Sequence, residues 1–142
     1  MSDKLKLTNQ VCLPLYQLAK EVINLYRPIL KDLDLTYPQY LVMIVLWEEG
    51  TQNVSEIGTK LHLDSGTLTP LLKRLEQKNL IQRKRNQVDE RIVTISLTGH
   101  GKKLRENASC VPDQIVASLK MTTNELQQLQ NVIGNILNQI NK

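Results

Sequence analysis

Two cysteines and a cluster of seven cations carry the chemistry that this chain has to offer. Cys12 and Cys110 are its two thiols, and their separation matches neither a C-x-x-C pair nor any metal-ligand spacing. No metal and no cofactor is expected, and reduced thiols fit a cytoplasmic protein. Pro14 is comfortable only in the first turn of a helix, so Cys12 falls at or near a helix N-terminus. A thiolate is favoured at such a position and by nearby hydroxyl donors. Tyr16 stands one turn away, while Tyr26 and Tyr37 are further candidate donors that periodicity alone cannot bring to the thiol. The residues leave two readings open for Cys12: a small buried hydrophobe on the first helix, or a reactive thiol. His62 and His100 lie in a turn and at a helix start with no acid or base partner in view, so an enzyme is not expected.

The cations lie between Asp64 and Arg91. That run holds Lys73, Arg74, Lys78, Arg83, Lys84, Arg85 and Arg91 against Asp64, Glu76, Asp89 and Glu90, a net of +3 where the whole chain carries +4. Positive charge concentrated in a fifth of the length is the electrostatic footprint of a nucleic-acid reader. The run opens with small hydroxyl-bearing residues. Ser65, Thr67 and Thr69, with Pro70 after them, are small enough to approach base edges in a major groove, where hydroxyls donate or accept and threonine methyls meet thymine methyls. Lys73, Arg74, Lys78 and the strand cations Arg83, Lys84 and Arg85 would contact phosphates, which set register without reading sequence. Arg91, beside Asp89, is placed to enter a minor groove, where narrow A·T tracts attract arginine. The bland alternative is a solvated cationic face. A winged helix used only for protein contacts is the more serious rival.

Stepping outward, the elements that must hold these residues are legible in order. Apolar positions from Leu15 to Leu33 at three- and four-residue spacing predict a helix over 9–33, with Pro28 predicting a kink or break. Thr36 with Gln39 forms a capping box for a second helix, apolar nearly all round and stopped by Gly50. Asn53 with Glu56 starts a third helix after a short polar link, His62–Ser65 is a turn, and a fourth helix runs from about Ser65 to Asn79. Together these make a helix-turn-helix. Strands at 80–85 and 91–97, joined by a turn over 86–90, make a wing. Thr98 caps a helix running to about Leu119, and Thr122 with Glu125 opens a last one. Its residues Leu126, Leu129, Ile133, Ile136 and Ile140 form a seam that needs a helical partner. The fold expected is mainly α with a small β-wing: one domain over 1–142, with a winged helix-turn-helix at 36–97 and dimerisation helices at 9–35 and 98–142. In a homodimer two reading helices stand about one DNA turn apart, so the target is double-stranded DNA with pseudo-palindromic half-sites about 10 bp apart.

Composition narrows the class further. With 142 residues, 41% hydrophobic and 23% charged, the chain can bury a real core and is not of disordered composition. Met1–Lys6 is polar with no apolar stretch behind it, so no leader is expected. The apolar run Tyr40–Trp47 is too short to span a bilayer, so no membrane partner is expected either.

The stretches Asn9–Tyr16 (NQVCLPLY), Leu35–Val42 (LTYPQYLV), Leu63–Arg74 (LDSGTLTPLLKR), Asp89-Glu90-Arg91 and Ile95–Thr98 resemble the OhrR branch of the MarR family along nearly the whole chain. The resemblance implies a homodimeric winged-helix repressor that senses organic hydroperoxides or related oxidants through Cys12. It implies that Tyr26 and Tyr37 hydrogen-bond the Cys12 thiolate from the two subunits, that Ser65, Thr67, Thr69 and Pro70 lie in the major groove, and that Asp89 and Arg91 form the wing tip. Two-cysteine members form an intersubunit disulfide from the sensor to a cysteine in the region of Cys110. Oxidation of Cys12 would then release the repressor from its operator. A related repressor governed by a small aromatic ligand, with Cys12 inert, is the alternative.

Overall fold

The structure, a computed structural model, describes residues 3–141. Met1, Ser2 and Lys142, at the ends of the polar amino-terminal stretch and of the last dimerisation segment expected above, lie outside the described residues. Helix α1 (Cys12–Lys31) places Pro14 in its first turn, as the sequence requires. It runs unbroken through Pro28, where the sequence predicts a kink or break.

Helix α2 (Tyr37–Glu49) is the centre of the fold. Thr36 Oγ1 accepts the Gln39 N–H and Gln39 Oε1 accepts the Thr36 N–H, closing the capping box, and Gly50 ends the helix at φ 75°. Tyr40, Val42, Met43, Val45 and Leu46 are all buried, which is why α2 reads as apolar nearly all round. After it, Gln52–Asn53 is not merely a polar link. It forms a short strand, β1, paired antiparallel with the second wing strand, Gln52 opposite Ile95 and Asn53 opposite Thr94.

Helix α3 (Val54–Leu61) starts at the Asn53/Glu56 capping box, and helix α4 (Ser65–Gln77) starts at Asp64, whose carboxylate accepts the Thr67 N–H at 2.7 Å. Between them His62 takes a left-handed φ of 54° and gives the turn its tightness. Gly58 is needed on the other side: a Cβ there would stand 2.7 Å from the Leu63 carbonyl oxygen. Leu68, Leu71, Leu72 and Leu75 turn the inner face of α4 onto Ile57 and α2. Strands β2 (Ile81–Arg85) and β3 (Val93–Leu97) complete the sheet in the order β1-β3-β2, with Arg83 opposite Ile95. Both strands and the end of α4 are a residue or two shorter than the sequence suggests, the ordinary fraying of element ends.

Helix α5 (Gly99–Ala108), capped by Thr98, packs against the sheet so closely that a Cβ at Gly101 would fall 2.1 Å from the Leu80 carbonyl oxygen. The Gly101 carbonyl in turn accepts the Trp47 indole N–H at 2.9 Å. The single helix expected over 99–119 is two, with α6 (Val111–Leu119) following a break at Ser109–Cys110. Pro112 is the cause: it has no N–H for the Ala108 carbonyl, and its ring would clash with that carbonyl in a continuous helix. Helix α7 (Thr123–Ile140) has the expected Thr122/Glu125 capping box and not one buried residue.

Candidate nucleic-acid interface and thiol site

The first turn of α4 presents Ser65, Thr67, Thr69 and Pro70 on the outside while the leucines face in. The helix pattern produces that division, since Leu68, Leu72 and Leu75 recur at spacings of four and three on one face while Pro70, Lys73 and Arg74 lie across from it. Thr69 spends its hydroxyl proton on the Ser65 carbonyl at 2.8 Å, leaving its methyl and lone pairs outward. Hydrogen bonds from the Thr67 N–H and hydroxyl hold the Asp64 carboxyl below its ordinary range, so the cap is charged at neutral pH.

Of the seven cations, five are available to a polyanion and two are not. Lys73, Arg74, Lys84 and Arg85 are exposed, and none of them has a carboxylate partner among the described residues. Arg85 donates to the Glu90 carbonyl at 2.8 Å, which closes the wing. Arg91 is 91% exposed at its side chain and held by Asp89 through both its guanidinium and its N–H. That contact keeps the Asp89 carboxyl low and aims the guanidinium outward from the tip. Asn86 shapes the same loop by accepting the N–H groups of Val88 and Asp89. Arg83 instead binds Glu76 at 3.2 Å. The Lys78 ammonium, expected on phosphate, turns inward to Asp34 and Gln39.

Cys12, the first residue of α1, is exposed, so the buried-hydrophobe reading does not hold within this chain. In front of it Asn9 and Gln10 use their amides to fold back the amino-terminal segment, donating to the carbonyls of Asp3, Lys4 and Lys6. Tyr16 makes no hydrogen bond to Cys12, and its ring lies 4.8 Å from the Lys20 ammonium.

Tyr26 and Tyr37 do come together. Their ring centroids are 4.5 Å apart, and Tyr40 joins them at 6.0 Å from Tyr26 and 6.4 Å from Tyr37. Burial, then the neighbouring tyrosines, push the Tyr26 phenol up to about 12, and burial raises those of Tyr37 and Tyr40 as well. All three are therefore protonated donors at neutral pH. Tyr40 was not among the candidates read from the sequence, although its spacing of three from Tyr37 on one helix was the available signal.

Tyr26 and Tyr37 open onto a groove of about 560 Å³ whose far wall is Leu126, Leu129, Ile133 and Leu137 of α7. Cys12 is not in it. Tyr26 lies fourteen positions along α1 from Cys12, about 21 Å at the rise of an α-helix. Cys110 caps α6 in the break after α5, exposed, with its thiol 3.5 Å from the Asn107 carbonyl and a shallow groove formed with Ile29, Asp32 and Gln114. Among the described residues there is no clustered set of His, Cys, Asp or Glu able to hold a metal, and no helix long and apolar enough to cross a membrane.

Comparison with known proteins places this arrangement. Residues 24–108 match the family model for the transcriptional regulator SarA/Rot. The chain is 47% identical over 135 residues to the organic hydroperoxide resistance transcriptional regulator of Bacillus subtilis (strain 168), covering 95% of this chain and 92% of that one. It is 38% identical over 138 residues to the HTH-type transcriptional regulator MgrA of Staphylococcus aureus, covering 96% and 94%. Among solved structures, reduced AbfR bound to DNA superposes with a TM-score of 0.78 at 35% identity over 98% of this chain and 97% of that one. AbfR, from Staphylococcus epidermidis, has also been solved overoxidised on DNA and in a disulfide form. The helix-turn-helix, the wing and the matching of most of the chain agree: this is a DNA-binding transcriptional regulator belonging to the SarA/Rot family of MarR-type winged-helix proteins.

Proposed function

We propose that this chain is a homodimeric repressor that leaves a pseudo-palindromic operator when an organic hydroperoxide oxidises Cys12. One observation carries the reading. The paired phenols of Tyr26 and Tyr37 face a groove with no thiol in it, while the thiol of the same chain lies about 21 Å away along one helix. A second copy, packed along the apolar face of α7, can bring its own Cys12 to these tyrosines. The exposed face of α7 supports such packing: an isolated helix of this length is marginal in water, and this one has no fully buried residue within its own chain.

The chemistry then follows. Protonated phenols donate to the Cys12 thiolate and hold it ready. The sulfur attacks the terminal oxygen of a hydroperoxide, an S–O bond forms as the O–O bond breaks, and the alcohol leaves after taking a proton. The partner's equivalent of Cys110 supplies a second thiol, whose sulfur displaces water from the sulfenic acid and closes an intersubunit disulfide. AbfR was solved overoxidised and still on DNA, and separately in a disulfide form. That pair of states favours the disulfide, rather than oxidation alone, as the step that lets go. In this reading Ser65, Thr67, Thr69 and Pro70 face the bases, Lys73, Arg74, Lys84 and Arg85 face phosphates, and Arg91, braced by Asp89, enters the minor groove. Residues 9–35 and 98–142 join the copies. A regulator of this kind acts in the cytoplasm, where its DNA is.

The test is DNA binding to a palindromic A·T-rich probe before and after stoichiometric cumene hydroperoxide. The parent is expected to release the probe and to run as a dimer on a non-reducing gel. Cys12→Ser should hold the probe, and Cys110→Ser should give no covalent dimer. The groove beside Tyr26 also fits a small aromatic effector, and peroxide release that survives Cys12→Ser would transfer the function to that reading.

A further inference from the structure

We infer that Lys78 is a positioning residue, fixing the tail of the reading helix α4 to the turn that carries Tyr37. The join is a single atom. Gln39 is the buried polar side chain of the core, 3% exposed. Its Oε1 accepts the Thr36 N–H at 3.0 Å, which closes the capping box of α2, and accepts the Lys78 ammonium at 3.2 Å. An amide oxygen has two lone pairs, and these two donors use both. Lys78 also donates to the Asp34 carbonyl and stands 3.7 Å from the Asp34 carboxylate. Asp34 has a left-handed φ of 53° in the turn between α1 and α2.

Lys78 is the residue that ends α4, its own N–H bonded back to the Arg74 carbonyl. Tyr37 is the first residue of α2, inside the turn that Gln39 fixes. One ammonium therefore spans the α1–α2 turn, the first turn of α2 and the last turn of α4. A displacement of Tyr37 pulls on the end of the helix whose other end faces DNA. The input to this tie rests on the redox reading above; the tie itself rests on the bonds and on DNA binding.

The experiment compares the full-length parent with Lys78→Met, which keeps the stem and removes the donor. Lys78 is half-buried at the surface, so the variant is expected to fold, which thermal unfolding verifies. Amide hydrogen exchange is read with and without the palindromic probe. In the parent, DNA should slow exchange at Gln39 and Tyr40 in α2; in Lys78→Met that remote slowing should vanish while slowing at residues 65–69 persists. Equal remote slowing in both proteins overturns the proposal. The second readout is the ratio of DNA affinities before and after hydroperoxide treatment, expected to fall by about threefold or more in the variant. A variant with weaker binding in both states and an unchanged ratio has lost only structure, and that also overturns it. If the parent itself shows no such ratio, the redox reading fails and the exchange measurement alone decides the tie.

Discussion

The segment from Thr36 to Thr98 and the helices that flank it obey different rules. In the first, α2 buries six residues, α4 buries four, and Ile81 and Ile95 seal the sheet. In the second, the 20 residues of α1 bury Leu30 alone and the 18 of α7 bury none. Val132, Ile136, Leu137 and Ile140 are 46–70% exposed on one side of α7. Apolar side chains grouped in this way on a long helix are what the proposed dimer would cover. The reading half of the molecule is finished within one chain. The holding half is finished only by another, in the assembly we propose.

Three measurements test that contrast. The largest effect is expected in the reading half, where Leu72→Ala deletes a side chain that is 1% exposed; denaturant unfolding should show a loss of about 2–5 kcal/mol. A cost no larger than that of an exposed substitution would mean that the segment does not carry its own core. Next comes Ile136→Lys on α7. Sedimentation should show dimer giving way to monomer, and affinity for a palindromic probe should fall by about tenfold or more as the two reading helices lose their tether. An unchanged dimer would place the interface elsewhere. The smallest effect concerns Asp64, whose carboxyl is held low first by the Thr67 N–H. A lowered carboxyl adds stability that is fully present above the unfolded value of 3.8 and lost as pH falls through the folded one. Asp64→Asn keeps an acceptor for the cap but cannot titrate. Its thermal midpoint should therefore decline less than the parent's between about pH 5 and pH 2.

Much of the reading half was legible because its signals are local. Capping boxes at Thr36/Gln39 and Asn53/Glu56 lie where the sequence puts them, since the residues that signal a helix start also make its bonds. The strand at Gln52–Asn53 was not legible: two polar residues carry no alternation, and only pairing with β3 makes them a strand. The break at Ser109–Cys110 was written in Pro112, but the apolar spacing on either side of it hides the stop. Charge identified the cationic run without showing which members are spent inside it. Arg83 and Lys78 are taken by Glu76, Asp34 and Gln39, from 7 to 44 residues away in sequence. The thiol site was the least legible because its parts lie on different stretches, and Cys12 and Tyr26 share a helix without sharing a place.

Position 101 shows how intolerance can arise with no chemistry at all. Gly101 touches neither the cationic face nor either thiol, yet the smallest side chain there would collide with the backbone of Leu80. In a library of substitutions, that site would score as severely as any base-reading residue, and alanine would fare little better than tryptophan. Severity alone would then mark a seam between backbones, where α5 lies on the sheet with clearance for one hydrogen atom and nothing more.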